Sequence, residues 1–127
     1  MTGAAPRPER FGRVFRVRSS REFQHVYGGR HRRESGPLLV YGRPNGLGHP
    51  RLGLSVSRKV GNAVRRNRIK RRLREAFRRL KVELDDAFDF VIVVRPHRDG
   101  GSEDYARHLR IAMERVVEGW TRGPEKP

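Results

Sequence analysis

Cysteine is absent from the 127 residues. That removes disulfides, thiolate nucleophiles and cysteine-ligated zinc. Nothing points to an oxidising compartment, so the cytoplasm is the expected location. No stretch approaches the ~18 consecutive apolar residues that a membrane-spanning helix needs. The opening MTGAAPRPERFGRVFRVR is rich in arginine but lacks the apolar segment of a secretory signal. A transit peptide is disfavoured, because this arm runs directly into a patterned segment. Acidic residues are also scarce: 14 Asp and Glu face 30 Lys and Arg, a formal charge of +16. Such an excess repels itself in a compact state unless a polyanion neutralises it. Nucleic acid is the commonest such partner. An anionic membrane surface is the rival, but it requires a basic helix with a bulky apolar face left over for lipid.

Arrangements that carry chemistry are missing as well. His25, His31, His49, His97 and His108 include no pair at metal-site spacing, and surface or loop positions account for all five. Asp85, Asp86 and Asp89 form the one acidic cluster. It could be mistaken for a two-metal nuclease centre, but it reads as a helix-ending turn. No Ser/His/Asp order, phosphate-binding loop or dinucleotide fingerprint is present. The expectation is a protein that supplies no catalytic group.

What is there suits a single domain. Residues 1–14 read as a flexible basic arm, 15–120 as the domain and 121–127 as a tail. The arm's end, Phe15 to Arg18, could add a short extended piece. Ser19 and Ser20 offer helix caps with Glu22 one turn on. Phe23, Val26 and Tyr27 then fall at helical spacing, and Gly28 and Gly29 close the helix. Residues 37–41 read as a strand, 43–50 as a turn-rich loop and 51–57 as a strand. Leu52, Leu54 and Val56 face one way there, with Gly53, Ser55 and Ser57 opposite. Two strands joined by that loop predict a hairpin. A long helix follows from Ala63 to about Leu84, its core stripe formed by Ile69, Leu73, Ala76, Phe77, Leu80 and Leu84. Residues 88–94 are almost wholly apolar, which predicts a central strand buried on both faces. Ser102 caps a last helix with Tyr105, Leu109, Ala112, Met113, Val116 and Val117 inward. The order α-β-β-α-β-α describes an α+β two-layer sandwich, a small mixed sheet with three helices. Helices are expected on one face. The Gly53–Ser55–Ser57 side either stays open or takes a closely packed helix.

The informative stretch begins at Arg58. Twelve Lys or Arg and one acid lie between Arg58 and Lys81. Like charges one turn apart destabilise a helix, so an external polyanion explains the density better than a merely solvated face. Arginine predominates, and its planar fork binds phosphate bidentately and stacks on bases. At about 100° per residue, Asn62 and Arg66 project onto the line of the core stripe. A bare guanidinium cannot be buried there, so the first turns must overhang the core. Gly61 and Asn62 would open the helix with free N–H groups at an anion-friendly end.

The run Ser55 to Arg71, SVSRKVGNAVRRNRIKR, strongly resembles the signature of the bacterial ribonuclease P protein component, whose hallmark is the Arg66-Asn67-Arg68 run. The resemblance extends to residues 20–23, 39–41 and 89–96, and covers roughly residues 15 to 117. It implies an α/β sandwich with a left-handed βαβ crossover, against the usual handedness. It also implies a subunit that helps a catalytic RNA remove the 5′ leader of precursor tRNA. On that resemblance the catalytic RNA would be bound by Arg58, Lys59, Asn62, Arg65, Arg66, Asn67, Arg68, Lys70, Arg71 and Arg72. The single-stranded leader would lie in a cleft between the first helix and the sheet, on Phe23, Tyr27 and Tyr41, with Ser55 and Ser57. From the residues alone, core is the favoured reading of those aromatics; the resemblance makes them part-exposed cleft residues. Magnesium would be held mainly by the RNA, with no protein-bound organic cofactor. The partners would be the catalytic RNA and precursor tRNA, one protein to one RNA, with no membrane and no obligate protein partner. A ribosome-binding protein, a DNA-binding protein and a membrane-surface protein are the competing readings. Strands on both sides of the basic helix disfavour a helix-turn-helix.

Overall fold

The computed structural model describes residues 16–28, 31–83, 87–98 and 103–121. The elements are α1 (Ser20–Gly28), β1 (Arg32–Ser35), β2 (Leu38–Pro44), β3 (Arg51–Val56), a 3₁₀ turn (Arg58–Val60), α2 (Ala63–Glu83), β4 (Phe88–Val94) and α3 (Glu103–Thr121). The α+β class and the order of the predicted elements hold. The sheet carries one strand more than the pattern predicts. β1 is short and strongly polar (Arg32-Arg33-Glu34-Ser35), so it has no apolar alternation to reveal it. The expectations for residues 1–15, Gly29, Leu84, Asp85, Asp86, Ser102 and residues 122–127 lie outside the described residues.

The sheet order is β1-β2-β4-β3, with β3 parallel to β4 and the other pairs antiparallel. The predicted hairpin between residues 37–41 and 51–57 is therefore absent. β2 pairs with β1 through the Gly36–Pro37 turn, and β4 inserts between β2 and β3. The physical reason is the composition of β4. Phe90, Val91, Ile92 and Val94 are all buried, and a strand apolar on both faces gains most where neighbours flank both its edges. The intervening loop is long enough to step across one strand.

The two faces are covered differently. Leu38, Val40, Leu52, Phe90, Ile92 and Val94 pack under α2 and α3, whose Ile69, Leu73, Phe77, Leu109, Met113 and Val116 complete the main core. On the other face Val91 packs with Val17, which precedes α1, and with Val26 of α1, joined by the part-buried Phe23, Tyr27 and Tyr41. So α2 and α3 share a face as expected, while α1 crosses the opposite one. The chain before α1 adds an extended piece: Arg16 bridges Leu52 in parallel, and the Val17 N–H donates to the Leu52 carbonyl at 2.9 Å. Among the described residues no helix is long and apolar enough to cross a membrane.

Candidate nucleic-acid interface

Helix α2 starts where its cap predicts. The Asn62 side-chain oxygen accepts from the Arg65 N–H at 2.9 Å, and its carbonyl accepts from the Arg66 N–H. Its core stripe is buried through Leu80. The other positions carry the charge. Arg58, Lys59, Asn62, Asn67, Arg68 and Arg71 are exposed, while Arg66, Lys70 and Arg72 are half-buried. The first turn overhangs the core, as the angular argument requires: on the line of the core stripe Asn62 is exposed and Arg66 is only half-buried. Arg66 donates through Nε to the Gly61 carbonyl at 3.2 Å. Arg65 behaves differently from the rest of the run. Its guanidinium folds back onto the Val60 and His97 carbonyls, so it ties the helix start to the segment after β4.

Further along, Asn67, Arg71, Arg74, Glu75 and Arg78 line a groove of about 580 Å³. Partial burial, then the neighbouring Arg16 charge, lower the Arg74 pKa, so the extended N-terminal piece adds to the same basic surface. The sequence places Arg74 on the flank of the core stripe beside Lys70, but the expected binding set left out Arg74, Arg78 and Arg16. Glu75 pairs with Arg78 at 2.7 Å.

The second surface lies between α1 and the sheet. Helix α1 is fixed by a capping box: the Glu22 N–H donates to Ser19 Oγ at 3.1 Å, and the Ser19 N–H donates back to Glu22 Oε1 at 3.1 Å. Phe23 and Tyr27, one turn apart, meet edge-on with ring centroids 6.4 Å apart. Tyr27 and Tyr41 meet edge-on at 4.8 Å. Burial raises the Tyr27 pKa, against a hydrogen bond from Ser55 that lowers it. Ser55 is thus joined to the aromatic group. Ser57 is exposed, one residue beyond β3, and opens the 3₁₀ turn. The aromatics are neither wholly core nor free: they pack against the cluster of Val17, Val26 and Val91 and stay part-exposed. The sequence pattern did not reveal Arg32, on β1, whose Nη1 donates to the Tyr41 hydroxyl at 3.4 Å. Arg43 donates to the His25 carbonyl at 3.1 Å, at the other flank of α1.

The seat of α1 depends on one glycine. A Cβ on Gly53 would lie 2.8 Å from Phe23 Cζ and 3.0 Å from Val17 Cβ, so no larger residue leaves the ring where it is. A polar knot holds the helix start. Arg51 grips Asp89 with Nε and Nη2 at 2.8 and 2.6 Å and reaches Glu22 Oε2 with Nη1 at 2.9 Å. Asn45 adds a 2.8 Å bond to Asp89. Glu22 is held down to a pKa of about 2, by the Arg18 and Ser19 N–H groups first and by Arg51. The Asp89 carboxyl oxygens are thus taken up by Arg51 and Asn45 within the fold. Among the described residues no group of three His, Asp or Glu could hold a metal ion.

A family model described as Ribonuclease P matches residues 11–117. The ribonuclease P protein component of Levilactobacillus brevis is 38 % identical over 105 residues, covering 81 % of this chain and 88 % of the relative. That of Photorhabdus laumondii is 44 % identical over 86 residues, covering 67 % and 71 %. Among solved structures, the Staphylococcus aureus RNase P protein is similar with a TM-score of 0.66 and 32 % identity, over 79 % of this chain and 93 % of that one. The Thermotoga maritima RNase P protein gives 0.54 and 32 %, over 87 % and 98 %.

Proposed function

Because the chain belongs to the bacterial ribonuclease P protein family, the protein subunit of a tRNA-processing ribonucleoprotein, we propose that it binds two RNAs through two separate surfaces. The arginine-rich side of α2 takes the phosphates of the catalytic RNA, through Arg58, Lys59, Asn62, Arg66, Asn67, Arg68, Lys70, Arg71 and Arg72. The groove between α1 and the sheet takes the single-stranded 5′ leader of precursor tRNA on Phe23, Tyr27 and Tyr41. Ser55 supports Tyr27, and Ser57 lies at the groove's end. Arg65 acts mainly as a brace for the helix start.

The observation that carries this reading is the segregation of charge and aromatics. α2 and α1 lie on opposite faces of the sheet. One presents crowded guanidinium groups, the other part-exposed rings with arginines at its flanks. Folded RNA is met through phosphates, whereas single strands are bound by stacking on aromatic rings beside a basic groove, at about 1–3 kcal/mol per base. A DNA-binding or ribosome-binding protein would share the first surface but has no need of the second.

In this scheme the RNA holds the magnesium ions and activates the water, and the protein contributes no catalytic group. It adds affinity for the leader and offsets phosphate repulsion, which favours metal binding by the RNA. It works in the cytoplasm as one protein with one RNA. The test is reconstitution with a ribonuclease P RNA at low magnesium, beside protein alone and RNA alone. The expected result is faster cleavage at the mature 5′ end with both components. No gain over RNA alone refutes the subunit role, and cleavage by protein alone refutes the assignment of catalysis to the RNA.

A further inference from the structure

A cavity of about 510 Å³ opens where β4 leaves the sheet and α3 begins, lined by Pro37, Pro96, His97, Arg98, Tyr105 and His108 among others. It belongs to neither surface described above. It meets the start of α2 where Arg65, on the helix's first turn, bonds the His97 carbonyl. The start of the basic helix and this cavity therefore share a wall.

Two imidazole rings in that wall are fixed in place. His97 Nδ1 lies 2.7 Å from the Arg95 carbonyl, and Nε2 lies 2.6 Å from the Tyr105 hydroxyl. A carbonyl only accepts, so Nδ1 carries the proton, and in the neutral ring Nε2 accepts from Tyr105. His108 Nδ1 lies 2.7 Å from Ser35 Oγ. The His108 ring packs against Gly36, where a Cβ would fall 2.5 Å from Nε2, and the φ of +55° at that position also favours glycine. The charge at the cavity is mainly positive. Arg95 is engaged by Glu34, and Asp104 is the acid in the lining. Arg98 is exposed and makes no hydrogen bond or ion pair among the described residues. The volume falls in the range of small-ligand sites, about 300–1,000 Å³, and a duplex cannot enter it. Unpaired RNA bases are bound by stacking on rings that include histidine and tyrosine, with arginine at the backbone.

We propose that this cavity takes one unstacked ribonucleotide, its base against the His97 and His108 rings and its phosphate on Arg98, and so extends the RNA surface of α2 past its first turn. The proposal rests on the reading of α2 as RNA-binding. The nucleotide could come from the catalytic RNA or from precursor tRNA, and the same assay separates the two. Arg98→Glu and His108→Ala, with Arg66→Ala in parallel, are compared with the parent in affinity for the catalytic RNA and, once assembled, for precursor tRNA. The full chain is also titrated with AMP and with inorganic phosphate, following the imidazole NMR signals.

At least about a tenfold drop in affinity for the catalytic RNA with Arg98→Glu, which is about 1.4 kcal/mol and accompanies reversal of the charge at that position, supports the site and assigns its nucleotide to that RNA. A drop confined to precursor tRNA supports the site and assigns the nucleotide to the substrate. AMP is expected to move the His97 and His108 signals more than phosphate does. Equal shifts from both would remove the base from the site and overturn the proposal. Unchanged affinity for both RNAs in Arg98→Glu and His108→Ala, with circular dichroism matching the parent, also overturns it. If Arg66→Ala weakens binding while the cavity variants are silent, the cavity proposal alone fails. If Arg66→Ala is silent too, the reading of α2 fails with it.

Discussion

Arg51 ties three segments together through one guanidinium: β3, which carries it, β4 through Asp89, and α1 through Glu22. The Asp89 side chain is only 8 % exposed, so removing its partner strands a nearly buried anion. Breaking one side of such a pair is far costlier than losing an exposed one. Arg51→Ala is expected to destabilise the fold by about 3 kcal/mol, read as a lower urea midpoint. Glu22 gives a pH signature. Its pKa falls from 4.5 to about 2 in the fold, so the folded state favours the ionised form. The stability it contributes is fully present above pH 4.5 and is lost as pH falls toward 2. Glu22→Gln should flatten that part of the stability curve, measured by urea unfolding across the acid range. An unchanged slope would remove Glu22 from the linkage.

At the scale of elements, the two helices that flank the sheet present different surfaces, which the proposed function assigns to different RNAs. α2 has a full apolar core stripe, so its packing does not depend on the guanidinium groups of its outer side. The Arg66→Ala and Arg68→Ala variants should each bind the catalytic RNA more weakly and lower the salt slope by about one unit for every phosphate no longer neutralised. Filter binding across salt concentrations checks this, and an unaltered slope counts against phosphate binding at these positions. α1 is short, and its buried anchor is Val26 alone, so its aromatics are left part-exposed. Phe23→Ala should weaken precursor tRNA relative to mature tRNA by about 1–3 kcal/mol, the worth of one stacked base. Equal weakening for both substrates would contradict leader stacking. Both caps were legible: Ser19 with Glu22, and Asn62, bond as their spacing predicts. β1 was not legible, because a polar edge strand carries no alternation and forms only through its pairing with β2.

At the scale of the whole molecule the formal charge of +16 sets the terms. The exposed ion pairs, such as Glu75 with Arg78, are screened by solvent and contribute little, so they cannot offset repulsion of that size. The melting temperature of the free protein is therefore expected to rise with added sodium chloride, which screens the repulsion. A fall with salt, followed by differential scanning fluorimetry, would mean that internal ion pairs dominate. The sequence by itself determined the identity of most elements, the caps, the basic face of α2 and the burial of β4, because each is written in local spacing, composition or charge. Tertiary structure alone decided the insertion of β4 between β2 and β3, the placing of α1 across the opposite face, the inward turn of Arg65 and the Arg51–Asp89–Glu22 knot. Each of these joins residues far apart in the chain, and which distant partners meet depends on how the whole sheet buries its most apolar strand, a competition that no local window contains.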